Sequence, residues 1–142
     1  MIGVPATHGV IFDFIHKLKA TPNTLVVLGD GTQQKSYLHV NDLIDAMIFI
    51  VDHASAPLNY FNIGAGDIGI TVAQIAQIVT AAVAPRAKIE FGIGNKGWVG
   101  DVPRFTYAID KLRALGWQPK CDSAQAVKLA VGQIATQLGT RS

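Results

Sequence analysis

The six residues from Gly64 to Gly69 read G-A-G-D-I-G, which spells the G-x-G-x-x-G turn that binds the pyrophosphate of a dinucleotide. A strand-like run precedes them, an amphipathic run follows, and Glu90 ends a second strand-like run about twenty residues later. In a dinucleotide turn, however, the helix begins within the glycine motif, so that its amides point at the pyrophosphate. Here the expected helix cap is Thr71, and a single βαβ-like unit cannot build a dinucleotide crevice. We therefore interpret the stretch as a glycine-rich turn between a strand and a helix.

The cysteine and the histidines lack the neighbours that catalysis or metal binding requires. Cys121 is the only cysteine, which excludes an internal disulfide and a cysteine-based metal site, and we expect a plain thiol at the start of a helix. His39 enters a helix and is expected to be structural, whereas His16 and His53 are expected at the surface. No histidine and carboxylate pair has metal-ligand spacing, so the sequence predicts no metal.

Composition predicts one compact domain, residues 1–142, with an unusually apolar surface. Apolar residues make up 49% of the chain, charged residues only 15%, and the mean hydropathy is +0.30. Such a surface indicates that some apolar area faces a partner or another piece of protein. The net charge of +2 is scattered, which argues against nucleic-acid and membrane partners. With a single cysteine and no apolar run of ~20 residues, a cytoplasmic location is expected.

The first half of the chain predicts a helix, two strands and a second helix. Apolar residues at helical spacing indicate a helix over residues 8–19 with Thr7 as its cap and one buried face. The residues expected on that face are Val10, Ile11, Phe14, Ile15 and Leu18. The strand-like runs within residues 24–40 flank an Asp-Gly turn, which favours a hairpin or a strand-turn-strand unit. Asn41 or Asp42 would cap the next helix, whose pattern predicts burial nearly all round.

The second half predicts alternating short elements. Thr71 with Gln74, and Asp122 with Gln125, form capping-box patterns that mark two helix starts. The other expected elements are a short strand at Tyr60–Ile63, a strand at 87–93, a glycine-rich loop at 92–103 and a short helix at 108–116. The fold class is therefore α/β, with four or five helices and several short strands.

Three ordered segments resemble a known family. They are VLGDGTQQKSYLHVNDLIDAM (27–47), FNIGAGDIGITVAQIAQIV (61–79) and GNKGWVGDVPRFTYAIDKLRALGWQPK (94–120). Together they resemble the C-terminal, sugar-nucleotide-binding part of the extended short-chain dehydrogenase/reductase family, the NAD-dependent epimerases and dehydratases. Within that family the chain is most similar to UDP-glucose 4-epimerase-like proteins. The resemblance implies the C-terminal portion of that fold, without the N-terminal Rossmann half.

The resemblance implies a diphosphate site with two cations. In the family, one arginine follows the G-D-G turn and another lies beside G-W-x-G-D. This sequence has Lys35 and Lys96 at those positions. Lysine binds phosphate as a point charge but lacks the bidentate fork of arginine, so less directional binding is implied. A solvated surface lysine is the alternative for both residues.

Five further residues are candidates for the substrate site by the same resemblance. Val27 and Leu28 resemble positions that flank the nucleotide base, although core strand residues would have the same pattern. Trp98 shapes the rim of the site or packs in the core, and Asp101 holds its loop through backbone hydrogen bonds. His8 either touches substrate or serves as a cap or exposed residue.

The family's catalytic motifs belong to its N-terminal half and are absent from this sequence. An early G-x-x-G-x-x-G holds NAD there, and a Tyr-x-x-x-Lys pair supplies the reactive tyrosine. Tyr107 and Lys111 match that spelling, but they follow the glycine loop, whereas the family pair lies on a long helix that precedes this part. We assign the match to chance.

The resemblance thus implies the substrate-binding part of a UDP-glucose-like epimerase or dehydratase, which binds no NAD and is not catalytic on its own. Two alternatives remain open: a stand-alone module that binds a UDP-sugar, and a truncated remnant that acts through association. The apolar helix Leu43–Val51 favours association, either as a homodimer or with a Rossmann-containing partner chain.

Overall fold

The computed structural model describes residues 1–94 and 104–139, which form a mixed α/β structure. The helices are α1 (Val10–Ala20), α2 (Val40–His53), α3 (Val72–Val83), α4 (Asp110–Leu115) and α5 (Ser123–Gln137). The strands are β1 (Thr24–Val27), β2 (Gln34–Lys35), β3 (Ile70–Thr71), β4 (Lys88–Phe91) and β5 (Arg104–Phe105). Five helices and short strands agree with the predicted fold class.

The main hydrophobic core lies between α1, α3 and α5 and the strand pair β1–β4. β1 runs parallel to β4, with Thr24 opposite Lys88 and Val27 opposite Phe91. The helical spacing of apolar residues in α1 predicts its core face correctly, except that Val10 is only half buried. The buried residues of α1 are Ile11, Phe14, Ile15 and Leu18.

A second sheet has the order β3-β2-β5 and places Lys35 on its central strand. β2 pairs antiparallel with β3, where Lys35 faces Ile70, and parallel with β5, where Lys35 faces Phe105. A second apolar cluster joins α2 to the segments around α4. Its buried members are Leu38, Ala46, Leu112 and Trp117.

Two of the predicted helix starts are confirmed and two are wrong. Capping boxes are present at Thr71 and at Asp122. The cap of α1 is Gly9 instead of Thr7, because the Thr7 hydroxyl is hydrogen-bonded to the neighbouring histidine ring. The cap of α2 is His39, whose Nδ1 accepts the backbone N–H of Asn41 over 3.2 Å.

A hairpin of β1 with β2 does not form. The carboxylate of Asp30 accepts hydrogen bonds from both the backbone N–H and the hydroxyl of Thr32, which builds an Asx turn in the connection. The two strands then enter different sheets, so the strand-turn-strand alternative is the correct one. β1 joins β4 because Leu25 and Val27 are buried against the main core.

The prediction that α2 is buried nearly all round is wrong. Only Asp42 and Ala46 are buried in this helix. A stripe of apolar side chains at helical spacing is more than half exposed, from 51% at Ile44 to 81% at Val51; its members are Ile44, Met47, Ile48 and Val51. We call these four residues the α2 stripe.

The strand expected at Tyr60–Ile63 is also absent. Burial alternates from residue 58 to residue 63 as in a strand, with Phe61 and Ile63 packed against the second cluster. Within the described part of the chain, however, no neighbouring strand pairs with this segment. Its pattern is that of a strand, but its ladder partner is missing.

Candidate functional site

A cavity of about 290 Å³ opens between the start of α1 and the strands β1 and β2. Three residues singled out from the sequence, Val27, Leu28 and Lys35, line it together. Its other walls are Gly9, Val10, Asp13, Phe14, Lys17, Gln33, Tyr37 and Val72. This cavity combines apolar walls with one lysine from the central strand of a sheet.

A second cavity of about 600 Å³ adjoins the first and is also lined by Lys35. His8 lines this second cavity, together with the rest of the N-terminal segment 1–12. Gly9, Val10, Lys35 and Tyr37 line both cavities, so the two spaces share a wall. We call the two cavities together the α1 cleft.

The shared wall contains the N-terminus of α1. Gly9 caps this helix without a side-chain hydrogen bond, and a side chain built at Gly9 would meet nothing within 4 Å. The first backbone N–H groups of a helix have no partner within the helix and carry positive partial charge. The α1 N-terminus and the Lys35 side chain therefore lie on the same wall of the cleft.

Among the described residues that line the cleft, one is acidic, and its charge is compensated. Asp13, in the first turn of α1, forms an ion pair with Lys17 at 2.9 Å. Lys17 also donates to the backbone carbonyl of Val26 over 3.4 Å. Among the described residues of the cleft, Lys17 therefore balances the charge of Asp13.

The glycine stretch 64–69 does not have the geometry that a dinucleotide needs. Gly66 and Gly69 have φ values of +69° and +85°, and a side chain at Gly69 would overlap the backbone of Lys35. The amides at the start of α3 are occupied. Those of Val72 and Ala73 donate to the backbone carbonyls of Gln33 and Gly31, and the Gln74 amide donates to the Thr71 hydroxyl in a capping box. The glycines thus allow close packing within the chain, and these residues do not fit NAD.

The other sequence candidates fall into two groups. Lys96, Trp98 and Asp101 lie outside the described residues. Lys111 donates to the backbone carbonyl of Tyr60 over 2.7 Å and lies 4.5 Å from the centre of the Phe61 ring. This lysine holds the segment before the glycine stretch, which is a structural role.

The described ranges, 1–94 and 104–139, contain neither a metal-binding cluster nor a membrane-spanning helix. In these ranges, no group of three or more histidine, cysteine, aspartate or glutamate side chains is arranged to hold a metal ion. Over the same ranges no helix has the length and apolar character needed to cross a membrane. The α1 cleft is therefore the candidate functional site.

Sequence reasoning missed Gly9, Gln33 and Tyr37 as residues of the cleft. Tyr37 lies two residues after Lys35 and lines both cavities. Its alternation with Lys35 along an extended segment places both on one side of the chain, which is a signal that could have identified it.

The chain matches the NAD dependent epimerase/dehydratase family over residues 3–64. Among curated relatives, it is 33% identical over 106 residues to "Probable GDP-L-fucose synthase 1" of Oryza sativa subsp. japonica, covering 74% of this chain and 31% of the relative. It is 31% identical over 109 residues to "UDP-glucuronic acid decarboxylase 4" of Arabidopsis thaliana, covering 75% of this chain and 23% of the relative. The chain thus spans less than one third of the length of these relatives.

Solved structures share the fold over nearly the whole chain. A crystal structure of UDP-galactose 4-epimerase matches with a TM-score of 0.79 and 38% identity, over 96% of this chain and 43% of that one. The UDP-glucose 4-epimerase of Thermotoga maritima, solved with UDP-glucose, matches with a TM-score of 0.71 and 24% identity, over 94% of this chain and 41% of that one.

Proposed function

Because the chain belongs to the NAD-dependent epimerase/dehydratase family, we propose that it binds a nucleotide sugar of the UDP-glucose type in the α1 cleft. The names of the similar proteins support this substrate class, since GDP-L-fucose synthase, UDP-glucuronic acid decarboxylase and UDP-galactose 4-epimerase all name a sugar joined to a nucleoside diphosphate. The observation that carries the proposal is that Lys35 and the N-terminus of α1 share one wall of the cleft.

The diphosphate would bind at this shared wall. A diphosphate carries two negative charges and has many acceptor oxygens, so it requires a cation together with N–H donors held in fixed positions. The α1 N-terminus provides the donors, and the open space at Gly9 lets an oxygen approach them. Lys35 provides the cation from the centre of a three-stranded sheet.

The two cavities on either side of that wall would take the rest of the ligand. The smaller one is lined by apolar side chains, including Val27, Leu28 and Val72, which suit the flat face of a base. The larger one is lined by residues 1–12, with His8 among them, and has room for a sugar. Base and sugar would then extend in opposite directions from the diphosphate.

Calorimetric titration of the purified chain with UDP-glucose tests this proposal. We expect saturable binding that weakens as salt is raised, because charge attraction to Lys35 is screened. Lys35→Ala should weaken binding by roughly tenfold, the loss typical of one charge-assisted contact. NAD should produce no saturable heat, because the glycine stretch does not fit it.

Lys88→Ala is the matched control, since Lys88 is exposed at the start of β4 and lines neither cavity. Titration with GDP-L-fucose in parallel would show whether the base matters. Absence of binding to both nucleotide sugars would refute the proposal. Equal losses for Lys35→Ala and Lys88→Ala would refute the placement of the diphosphate.

A second role, in association, is favoured by the α2 stripe. Four apolar side chains at i, i+3, i+4 and i+7 form a helix face of the kind that normally packs against another element. The segment 58–63 has strand periodicity without a ladder partner in the described ranges, so it could extend the edge of a sheet. An exposed apolar helix face, together with a segment of strand periodicity, fits an open α/β sheet.

We propose that the dinucleotide-binding half of an epimerase/dehydratase covers this surface. The supporting fact is one of length: the solved UDP-galactose 4-epimerase is matched over 96% of this chain but only 43% of its own. The remainder of such a protein, in the same polypeptide or another, would cover the α2 stripe. Hydride chemistry on the bound sugar would depend on that half.

Sedimentation velocity tests the association, using the dinucleotide-binding half of UDP-galactose 4-epimerase produced separately and checked for folding by circular dichroism. The chain should form a one-to-one complex with it, and Ile48→Lys in the stripe should abolish that complex. Leu129→Lys, on the exposed side of α5, is the control and should leave the complex intact. A chain that forms homodimers, or a complex that survives Ile48→Lys, would contradict this occupant.

A further inference from the structure

The carboxylate of Asp67, inside the glycine stretch, is the centre of a hydrogen-bond network beside the α1 cleft. Asp67 Oδ1 accepts from the hydroxyl of Ser123 at 2.6 Å, from the hydroxyl of Ser36 at 3.1 Å and from the backbone N–H of Gly69 at 3.1 Å. Asp67 Oδ2 accepts from the backbone N–H of Ser123 at 2.7 Å. We call Asp67, Ser36, Gly69 and Ser123 the Asp67 clamp.

The clamp reaches Tyr37 through one buried hydroxyl. Ser123 is 1% exposed, and its Oγ accepts a hydrogen bond from the backbone N–H of Tyr37 over 2.8 Å. Its single proton is directed to Asp67, at 2.6 Å, because the carbonyl of Tyr37 is farther away, at 3.4 Å. A carboxylate thus orients a hydroxyl, and the hydroxyl fixes a backbone amide.

The charge on Asp67 is maintained by these donors. Partial burial disfavours the ionised form and raises the pKa, but the hydrogen bonds from Ser123, from Ser36 and from the Gly69 amide together outweigh it. The pKa of Asp67 is therefore lower than that of an ordinary aspartate. The clamp is ionised at neutral pH, and its hydrogen bonds are charge-assisted.

The residues held by the clamp flank the cation of the cleft. Ser36 and Tyr37 directly follow Lys35, and both Lys35 and Tyr37 line the two cavities. Gly69 lies against the backbone of Lys35 at a φ of +85°, a position that no side chain could occupy without displacing β2. The glycine stretch therefore packs directly against the backbone of β2, the strand that contains Lys35.

We propose that Asp67 is a positioning residue, which acts through Ser123 and Ser36 to hold Lys35 and Tyr37 in place for the diphosphate. The glycine stretch then serves the nucleotide sugar by supporting its cation, without contacting any dinucleotide. This inference rests on the proposed function. It adds a part of the chain that the cleft itself does not include, because Asp67 lines neither cavity.

Amide hydrogen exchange of the unliganded chain, followed by nuclear magnetic resonance, tests the clamp without any ligand. Ser123→Ala removes only the hydroxyl link, and Asp67→Asn removes the charge while keeping the size. In both variants the Tyr37 amide should exchange at least roughly tenfold faster, the effect of losing one hydrogen bond to a charged network. The amide of Val79, in the core of α3, should be unchanged. Unchanged exchange at Tyr37 in both variants would overturn the inference.

A double-mutant cycle on UDP-glucose binding tests the positioning role. Asp67→Asn should weaken binding by roughly tenfold in the native background and by less than about twofold when Lys35→Ala is already present. Equal losses in both backgrounds would mean a general loosening and would overturn the role. Asp45→Asn, at a carboxylate that lines neither cavity, is the control and should leave the affinity unchanged. If the native chain binds no nucleotide sugar, the proposed function and this role in it both fail, while the exchange measurement still decides whether Asp67 holds Tyr37.

Discussion

The indole Nε1 of Trp117 donates a hydrogen bond to Asp45 Oδ2 over 3.1 Å, which joins the segment after α4 to the middle of α2. Lys120 Nζ lies at 3.1 Å from the other oxygen, Asp45 Oδ1. The hydrogen bond from Trp117, followed by that from Lys120, lowers the pKa of Asp45. Protonation of Asp45 should therefore weaken the contact between α2 and the segment after α4.

The first prediction concerns pH and Asp45. A carboxyl group whose pKa is lower in the folded chain stabilises it above the unfolded pKa of about 3.9, and this stabilisation is lost as pH falls through the folded value. Asp45→Asn should therefore reduce the free energy of unfolding at pH 6 and have a smaller effect near pH 3. Urea unfolding at both pH values measures this. Asp52→Asn, exposed on the same helix, is the control, and an effect of Asp45→Asn that grows toward low pH would contradict the prediction.

The second prediction concerns Lys35→Arg. A guanidinium group offers a planar fork of donors to a diphosphate, whereas the ammonium group of lysine acts as a point charge. If the diphosphate binds at Lys35, the arginine variant should bind UDP-glucose more tightly, by roughly three- to tenfold. Calorimetry measures the change, with Lys88→Arg as the control. Weaker binding by the arginine variant would show that the wall has no room for the larger group.

The third prediction concerns Gly69→Ala. The backbone at Gly69 has a φ of +85°, and an added side chain would overlap the backbone of Lys35. Gly139 has a similar φ of +67° but open space around it. Both substitutions incur the left-handed backbone cost, so Gly69→Ala should destabilise the chain by at least ~2 kcal/mol more than Gly139→Ala. Chemical denaturation gives both values, and equal losses would mean that β2 moves aside without cost.

The fourth prediction concerns His39, which links two helices. Its Nδ1 accepts the Asn41 amide at the start of α2, so its proton is on Nε2, which donates to Gln133 Oε1 on α5 over 2.9 Å. His39→Ala loses both contacts in a buried place and should cost about 2–4 kcal/mol. His39→Asn can still cap the helix and should cost about 1 kcal/mol less. Urea unfolding compares the two, and equal costs would assign the whole effect to Gln133.

Local patterns predict the parts of this fold that depend on local contacts. The helical spacing in α1 identifies its core face, and the pairs Thr71 with Gln74 and Asp122 with Gln125 mark real helix starts. In each case the interacting residues are three or four positions apart, so the sequence alone contains both partners.

The sequence patterns do not predict which strands and helices pack together when they are far apart in the chain. The Asp30 turn is compatible with a hairpin, but β1 is drawn to β4 by burial against the main core, which no local pattern describes. The α2 sequence has the apolar content of a buried helix, yet its stripe faces outward in the chain as it stands. Tyr60–Ile63 has strand periodicity, but periodicity does not create a ladder partner.

Some residues of the α1 cleft could be predicted from the sequence. The family resemblance singles out Val27, Leu28 and Lys35, which line one cavity, and His8, which lines the next. Asp67 and Ser123 could not be found in this way, because they are 56 residues apart and their link exists only after folding.

The hydrogen bond between Tyr37 and Ser123 closes a loop of 86 residues. Contacts of such high sequence separation are costly in loop entropy and tend to form late in folding. The backbone beside Lys35 is therefore fixed through this hydrogen bond only when α5 has docked.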